Sequence, residues 1–220
     1  MEQSNIDKIF KVAEKYKPSG DVFPIGFNDF DVAMDNGVRD GELIIISAET
    51  ANGKTSWAQQ LTINLDKIKV PSLWFTYEMN PWYLKEKFAQ MGATKELLGY
   101  TPIKYFGDNV FKTQIEFVRY HIKEAIERFA CKTIFIDHLH YLVPLEESKN
   151  SSLMIGGVVR ELKKMAVEFN VVIFLLAHTK KIYQGEELDL SSIRDSSLVA
   201  QEADYVFLLQ RIKEKQDKEF

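Results

Sequence analysis

Six apolar runs punctuate the chain: LIIIS (43–47), SLWFTY (72–77), IKYF (103–106), KTIFID (132–137), VVIFLLA (171–177) and YVFLLQ (205–210). Their hydrophobic residues are contiguous rather than alternating, which is the pattern of strands covered on both faces. Between most of them the period lengthens to that of a helix, over roughly 54–67, 81–91, 112–129 and 152–169. In the last of these, Leu153, Val158, Leu162, Met165, Ala166 and Phe169 trace one face. Strands alternating with helices predict an α/β fold: a mostly parallel, twisted sheet with helices on both faces. Ligands on such sheets bind outside the carboxyl ends of the strands. The residues directly after each run are therefore the candidates for chemistry.

Ahead of the first run, Ile6, Ile9, Phe10, Ala13 and Tyr16 recur at helical spacing, with Ser4 placed to cap and KPSGD to terminate. This predicts a short N-terminal linker helix within residues 1–22, followed by one domain over 23–220. Two roles stay open for the helix, packing on its own domain or docking on a neighbouring subunit. The chain has no Gly/Ser linker, low-complexity tract or internal repeat to mark a second domain.

Composition narrows the setting. Hydrophobic residues are 45% and charged residues 27% of 220, the balance of a globular protein rather than a disordered one. With 28 Lys and Arg against 32 Asp and Glu, a uniformly basic face for nucleic acid is excluded, and any such contact must come from local loops. The single cysteine, Cys131, rules out an intrachain disulfide and reads as a buried structural thiol. No secretory signal is legible at the start, and no apolar run approaches ~18 residues, so a cytoplasmic protein without membrane contact is expected.

The first run ends in SAETANGKTS, covering Ala48, Glu49, Thr50, Ala51, Asn52, Gly53, Lys54, Thr55 and Ser56. A loop of this kind converges backbone N–H groups on phosphate oxygens at a helix N-terminus. Its lysine neutralises the phosphates and its hydroxyl ligates magnesium. Ala48 replaces the usual leading glycine, which is admissible if its φ stays negative. The second run ends in TYEMNP, where Glu78 can orient and deprotonate water and Pro81 opens a helix. The fourth ends in IFIDHLHYL; a carboxylate closing a buried strand needs a partner, and magnesium shared with Thr55 supplies one for Asp137. His138 and His140 follow, His140 with a functional or a structural role open, His138 as a structural group. The fifth ends in LLAHTKK, where His178 either caps the strand or donates to a terminal phosphate. The loop that starts at Lys180 and Lys181 and runs through Arg194 is long enough to be functional, or else is a solvated surface loop.

With SAETANGKTS, TYEM, FIDHLH, LLAHTKK and IRDSSLVAQEADYVFLLQR in this order, the chain resembles the RecA-like P-loop motor domain of DnaB-type hexameric replicative helicases from about Pro24 to Arg211. LLAHTKK and QEAD leading into LLQR are closer to phage primase-helicases and to Twinkle, and alanine is common in this family at the position of Ala48. The resemblance implies an ATP- and Mg2+-dependent motor that forms a ring and moves 5′ to 3′ on single-stranded DNA, with a primase or helicase loader as further partner. Carried over residue by residue, Lys54 and Thr55 bind phosphate and magnesium, Glu78 is the catalytic base, Asp137 holds the metal and His178 senses the terminal phosphate. His140 couples that site to the DNA loops, Arg211 stacks on the adenine, and Lys180, Lys181 and Arg194 line the channel. The chain stops at Phe220, before the strand that in this family carries an arginine finger, so weak hydrolysis and poor ring formation are expected of this polypeptide alone. A filament-forming recombinase and a nucleotide-switched DNA-binding ATPase are the competing readings.

Overall fold

The structure is a computed structural model that describes residues 14, 17, 20–94, 101–105, 111, 113–143, 151–180, 187–193 and 196–211. In chain order the elements are β1 (Val22–Phe23), α1 (Asn28–Ala33), β2 (Val38–Arg39), β3 (Leu43–Ala48), α2 (Lys54–Lys67), β4 (Ser72–Thr76), α3 (Pro81–Gln90), β5 (Ile103–Lys104), α4 (Gln114–Phe129), β6 (Thr133–Asp137), α5 (Ser151–Phe169), β7 (Val172–His178), α6 (Ser196–Glu202) and β8 (Tyr205–Leu209). The expected linker helix lies almost wholly outside the described residues, as do Lys181 and Arg194.

Six strands form one sheet in the order β5-β4-β6-β7-β3-β8, and every pairing is parallel. β1 and β2 make a separate antiparallel pair. All six positions of β3 are buried, and so are all five of β4 and of β6. Successive residues point to opposite faces, so contiguous apolar runs fill two layers at once. On one face Leu43, Ile45, Leu73, Phe75, Ile134, Ile136, Ile173 and Leu175 meet α4 and α5 through Val118, Ile122, Val159, Leu162 and Met165. On the other, Ile44, Ile46, Trp74, Phe135, Phe174 and Leu176 meet α2 and α3 through Ala58, Leu61, Leu65, Leu84 and Phe88. Across the second face the rings of Trp74, Phe135 and Phe174 stack, with centroids 5.0 and 4.7 Å apart, and the Trp74 indole donates to Thr62 Oγ1 at 2.9 Å. Such ring pairs contribute about 0.5–1.5 kcal/mol each beyond burial.

The ends of the helices are set locally. Asn80 caps α3 by accepting from Trp82 N, with Pro81 at the first position. Thr113 caps α4 by accepting from Glu116 N, and the helix stops at Ala130, whose φ is +53°. Differences from the sequence expectation fall at the margins. The IKYF strand keeps two residues, paired with β4 at the sheet edge. α1, α6 and the β1–β2 pair are too short to leave a period in the sequence.

Candidate active site at the carboxyl edge of the sheet

The sheet order puts β6 and β7 between β3 and β4, while the chain leaves β7 and returns on the far side of β3 as β8. The crevice therefore opens at the carboxyl ends of these strands. A cleft of about 240 Å³ lies there, lined by Glu49, Thr50, Ala51, Gly53, Lys54, Thr55, Ser56, Glu78, Lys87, His178 and Arg211. β4 is separated from β3 by two strands, and the Glu78 side chain reaches the cleft from across them.

The loop after β3 explains its own sequence. Ala48 is fully buried and is not among the residues with positive φ, so the missing glycine strains nothing there. The left-handed positions fall later, at Ala51 (φ +65°) and at Gly53 (φ +85°), which starts α2. At Gly53 the residue type suits the backbone, and at Ala51 it costs about 1 kcal/mol. Asn52 does not line the cleft; its Nδ2 donates to Glu49 Oε2 at 3.3 Å.

Thr55 Oγ1 donates to Asp137 Oδ2 at 2.8 Å. Asp137 is 1% exposed, and its Oδ1 has no hydrogen-bond partner among the described residues. Burial pushes its carboxyl above the usual range, against the Thr55 hydrogen bond and the charge of Lys54. The Asp137 carbonyl accepts from Tyr77 N at 2.8 Å and Glu78 N at 3.4 Å, so the residue that holds the hydroxyl also seats the second carboxylate.

Lys54 is nearly buried and donates to the Ala177 carbonyl at 3.3 Å, with its Nζ also 3.3 Å from His178 Nδ1. Desolvation lowers its pKa, opposed by Asp137 and Glu78. An ammonium can only donate, so Nδ1 accepts and the neutral imidazole carries its proton on Nε2, which stands 3.9 Å from Glu78 Oε2. His178 lies at the end of β7 and lines the cleft beside Lys54.

Two residues of this site escaped the sequence reading. His138 packs its ring edge-on against His178, with centroids 4.2 Å apart, whereas His140 stands 6.3 Å from His178. His138 is 8% exposed, and burial, ahead of the nearby Lys54 charge, pulls its pKa down to about 2. Lys87, on α3, lines the cleft and contributes positive charge toward Asp137. Its place on an ordinary amphipathic helix gave no signal beyond its spacing from Glu78. Lys180 is outside the cleft lining, its backbone and Nζ bonded to the carbonyls of Ser192 and Ser191 at 2.7 and 3.1 Å.

Comparison with known proteins places this geometry. The chain is 26% identical over 226 residues to a probable replicative DNA helicase of Trieres chinensis, covering 90% of this chain and 50% of that protein. It is 25% identical over 229 residues to the replicative DNA helicase DnaB of Treponema pallidum (strain Nichols), covering 93% of this chain and 52% of that protein. The chain spans about half the length of these relatives. In fold it is similar to a solved ATPase domain, with a TM-score of 0.72, 22% identity and 100% of this chain and 87% of that one covered. A DnaB-like replicative helicase, solved with a view to its interactions with primase, gives a TM-score of 0.71 at 20% identity, covering 96% of this chain and 57% of that one. The mostly parallel α/β sheet expected from the strand pattern, and the RecA-like form that the family resemblance implied, are the fold these domains share. The model of the DnaB-like helicase C-terminal domain matches residues 83–220, well over half of the chain, and the protein belongs to that family.

Proposed function

We propose that the chain is the motor domain of a replicative DNA helicase, with residues 23–220 as the motor and 1–22 as a linker helix, working in the cytoplasm. It hydrolyses ATP to move 5′ to 3′ along single-stranded DNA and so unwinds duplex during replication. Among the described residues no helix is long and apolar enough to cross a membrane. The observation that carries the reading is the Thr55 hydroxyl bonded to one oxygen of Asp137 while the other oxygen, buried, has no partner among the described residues. A hydroxyl beside a carboxylate is the hard oxygen donor set that magnesium takes in nucleotide sites. Thr55 and Asp137 would hold the ion, and when bound it neutralises charge on the phosphates.

The chain's own residues do the rest. Backbone N–H groups of the loop and the N-terminus of α2 bind the phosphates, and Lys54 leaves the Ala177 carbonyl for them. Arg211, at the rim of the cleft, takes the base. Glu78, 44% exposed in its side chain, orients the attacking water and accepts its proton. His178 donates Nε2–H to the terminal phosphate and so distinguishes the states before and after hydrolysis. His140 is assigned the coupling to the DNA-facing loops, with Lys180, Lys181 and Arg194 contributing charge there.

For the complete protein we propose a ring, a hexamer, around the strand, with a primase or a helicase loader as partner. The helicase family and relatives favour this over a filament-forming recombinase or a nucleotide switch. A fork-unwinding assay tests it. ATP-dependent opening of a fork with a 5′ tail and not of one with only a 3′ tail is expected; strand exchange without unwinding would contradict it.

A further inference from the structure

Beside the oxygen donors sits a second set of different chemistry. Glu78, His138 and His178 each bring one ligand atom within 4.8 Å of the other two. They come from the ends of three strands, β4, β6 and β7, whose parallel register aligns those ends. His138 is more than nine-tenths buried, and its Nδ1 has no hydrogen-bond partner among the described residues. Two imidazoles and one carboxylate are a donor set for zinc and its neighbours in the first transition row; magnesium, which prefers oxygen and dehydrates reluctantly, has little use for it.

We propose that Glu78, His138 and His178 form a regulatory site for a borderline divalent cation such as Zn2+, distinct in ligands from the Thr55–Asp137 magnesium pair, and that its occupation stops the motor. The inference rests on the proposed roles of Glu78 and His178 only for its consequence, not for the binding itself. An ion on His178 takes the lone pair of Nε2, and the proton moves to Nδ1. Nδ1 then no longer accepts from Lys54, whose ammonium keeps the Ala177 carbonyl. The carboxylate that should face water is bound to metal, and the N–H that should face phosphate is gone. No proton is lost overall, and no oxidation occurs.

Co2+ is the probe, because its visible d–d absorption reports a bound, low-coordinate site. The chain in excess Mg2+ is titrated with Co2+, then with Zn2+. One Co2+ per chain, displaced by Zn2+, is expected. Glu78→Gln, at a half-exposed position that tolerates it, and His138→Phe, which keeps a ring in the buried position, should each weaken Co2+ at least about tenfold, the lower bound for losing even a supporting group of a metal site. Circular dichroism and melting check that both variants fold. Cys131→Ser, at the opposite end of the sheet, should change nothing. Absorption that never develops, or that neither Glu78→Gln nor His138→Phe weakens, overturns the proposal. MgATP binding, measured by calorimetry on the same samples, separates the two readings. If nucleotide binds and Co2+ does not, only the cation site falls. If Co2+ titrates as described and nucleotide does not bind, the motor reading falls and the cation site stands.

Discussion

The two edges of the sheet are built from the same buried strands and treat charge in opposite ways. At the amino edge charges are paired: Lys132 lies 3.0 Å from Asp40, and Asp204 accepts from Lys163 at 2.6 Å and from Leu43 N at 2.7 Å. At the carboxyl edge Lys54, Glu78, Asp137, His138 and His178 crowd together, and Asp137 Oδ1 and His138 Nδ1 have no partner among the described residues. One edge is arranged for stability and the other for something that binds. Binding sites hold such locally unfavourable arrangements, and the paired edge offsets them.

That contrast is open to test. The largest effect is expected at Glu78→Gln, which should lower ATP turnover by about 10²–10⁴ while nucleotide affinity is retained, as measured by steady-state kinetics and calorimetry. Lys54→Ala removes charge-assisted hydrogen bonds to phosphate, of ~1.5–3 kcal/mol each, and should weaken nucleotide binding at least about 100-fold. At the opposite edge Asp204→Ala strands the buried Leu43 N–H and should cost about 1–3 kcal/mol in denaturant unfolding, with kcat/KM unchanged. A loss of turnover there without loss of stability would break the comparison.

Acid sharpens it further. The His138 pKa is about 2 in the folded chain, against an ordinary 6.5 when unfolded, so below pH 6.5 the unfolded state gains protons that the folded state refuses. Stability from this group is present above pH 6.5 and is lost as pH falls. Between pH 7 and 5 the native chain should lose about 2 kcal/mol that the His138→Phe variant does not lose. Asp137 acts in the opposite sense: its raised pKa makes stability fall as pH rises above its ordinary 3.8, so Asp137→Asn should flatten that slope. The smallest effect is at Ala51→Gly, where relief of the positive φ should gain no more than about 1 kcal/mol by thermal melting.

The strands of this protein could be read from its sequence because burial on both faces writes contiguous apolar runs, and the loop after β3 stood out as a phosphate-loop candidate because its glycine, lysine and threonine are consecutive. Asp137 stood out because a buried carboxylate at a strand end demands a partner, and the structure brings Thr55, 82 positions away in sequence, into direct hydrogen bonding with it. What stayed hidden depends on strand order. Nothing local says that β6 lies beside β7, yet that adjacency brings His138 rather than His140 against His178. Lys87 was hidden for a similar reason: its approach to the cleft depends on how α3 packs after Asn80 caps it. Short elements such as β1, β2 and α6 are shorter than the window over which a period can be recognised, and there the structure alone decides.

The most direct test of the central claim is a crystal structure of the chain with Mg2+ and a non-hydrolysable ATP analogue. The metal should be held by Thr55 and Asp137, the phosphates should lie on the loop from Ala51 to Thr55, and Glu78 and His178 should face the terminal phosphate. A nucleotide bound elsewhere, or a metal that leaves Asp137 untouched, would contradict it.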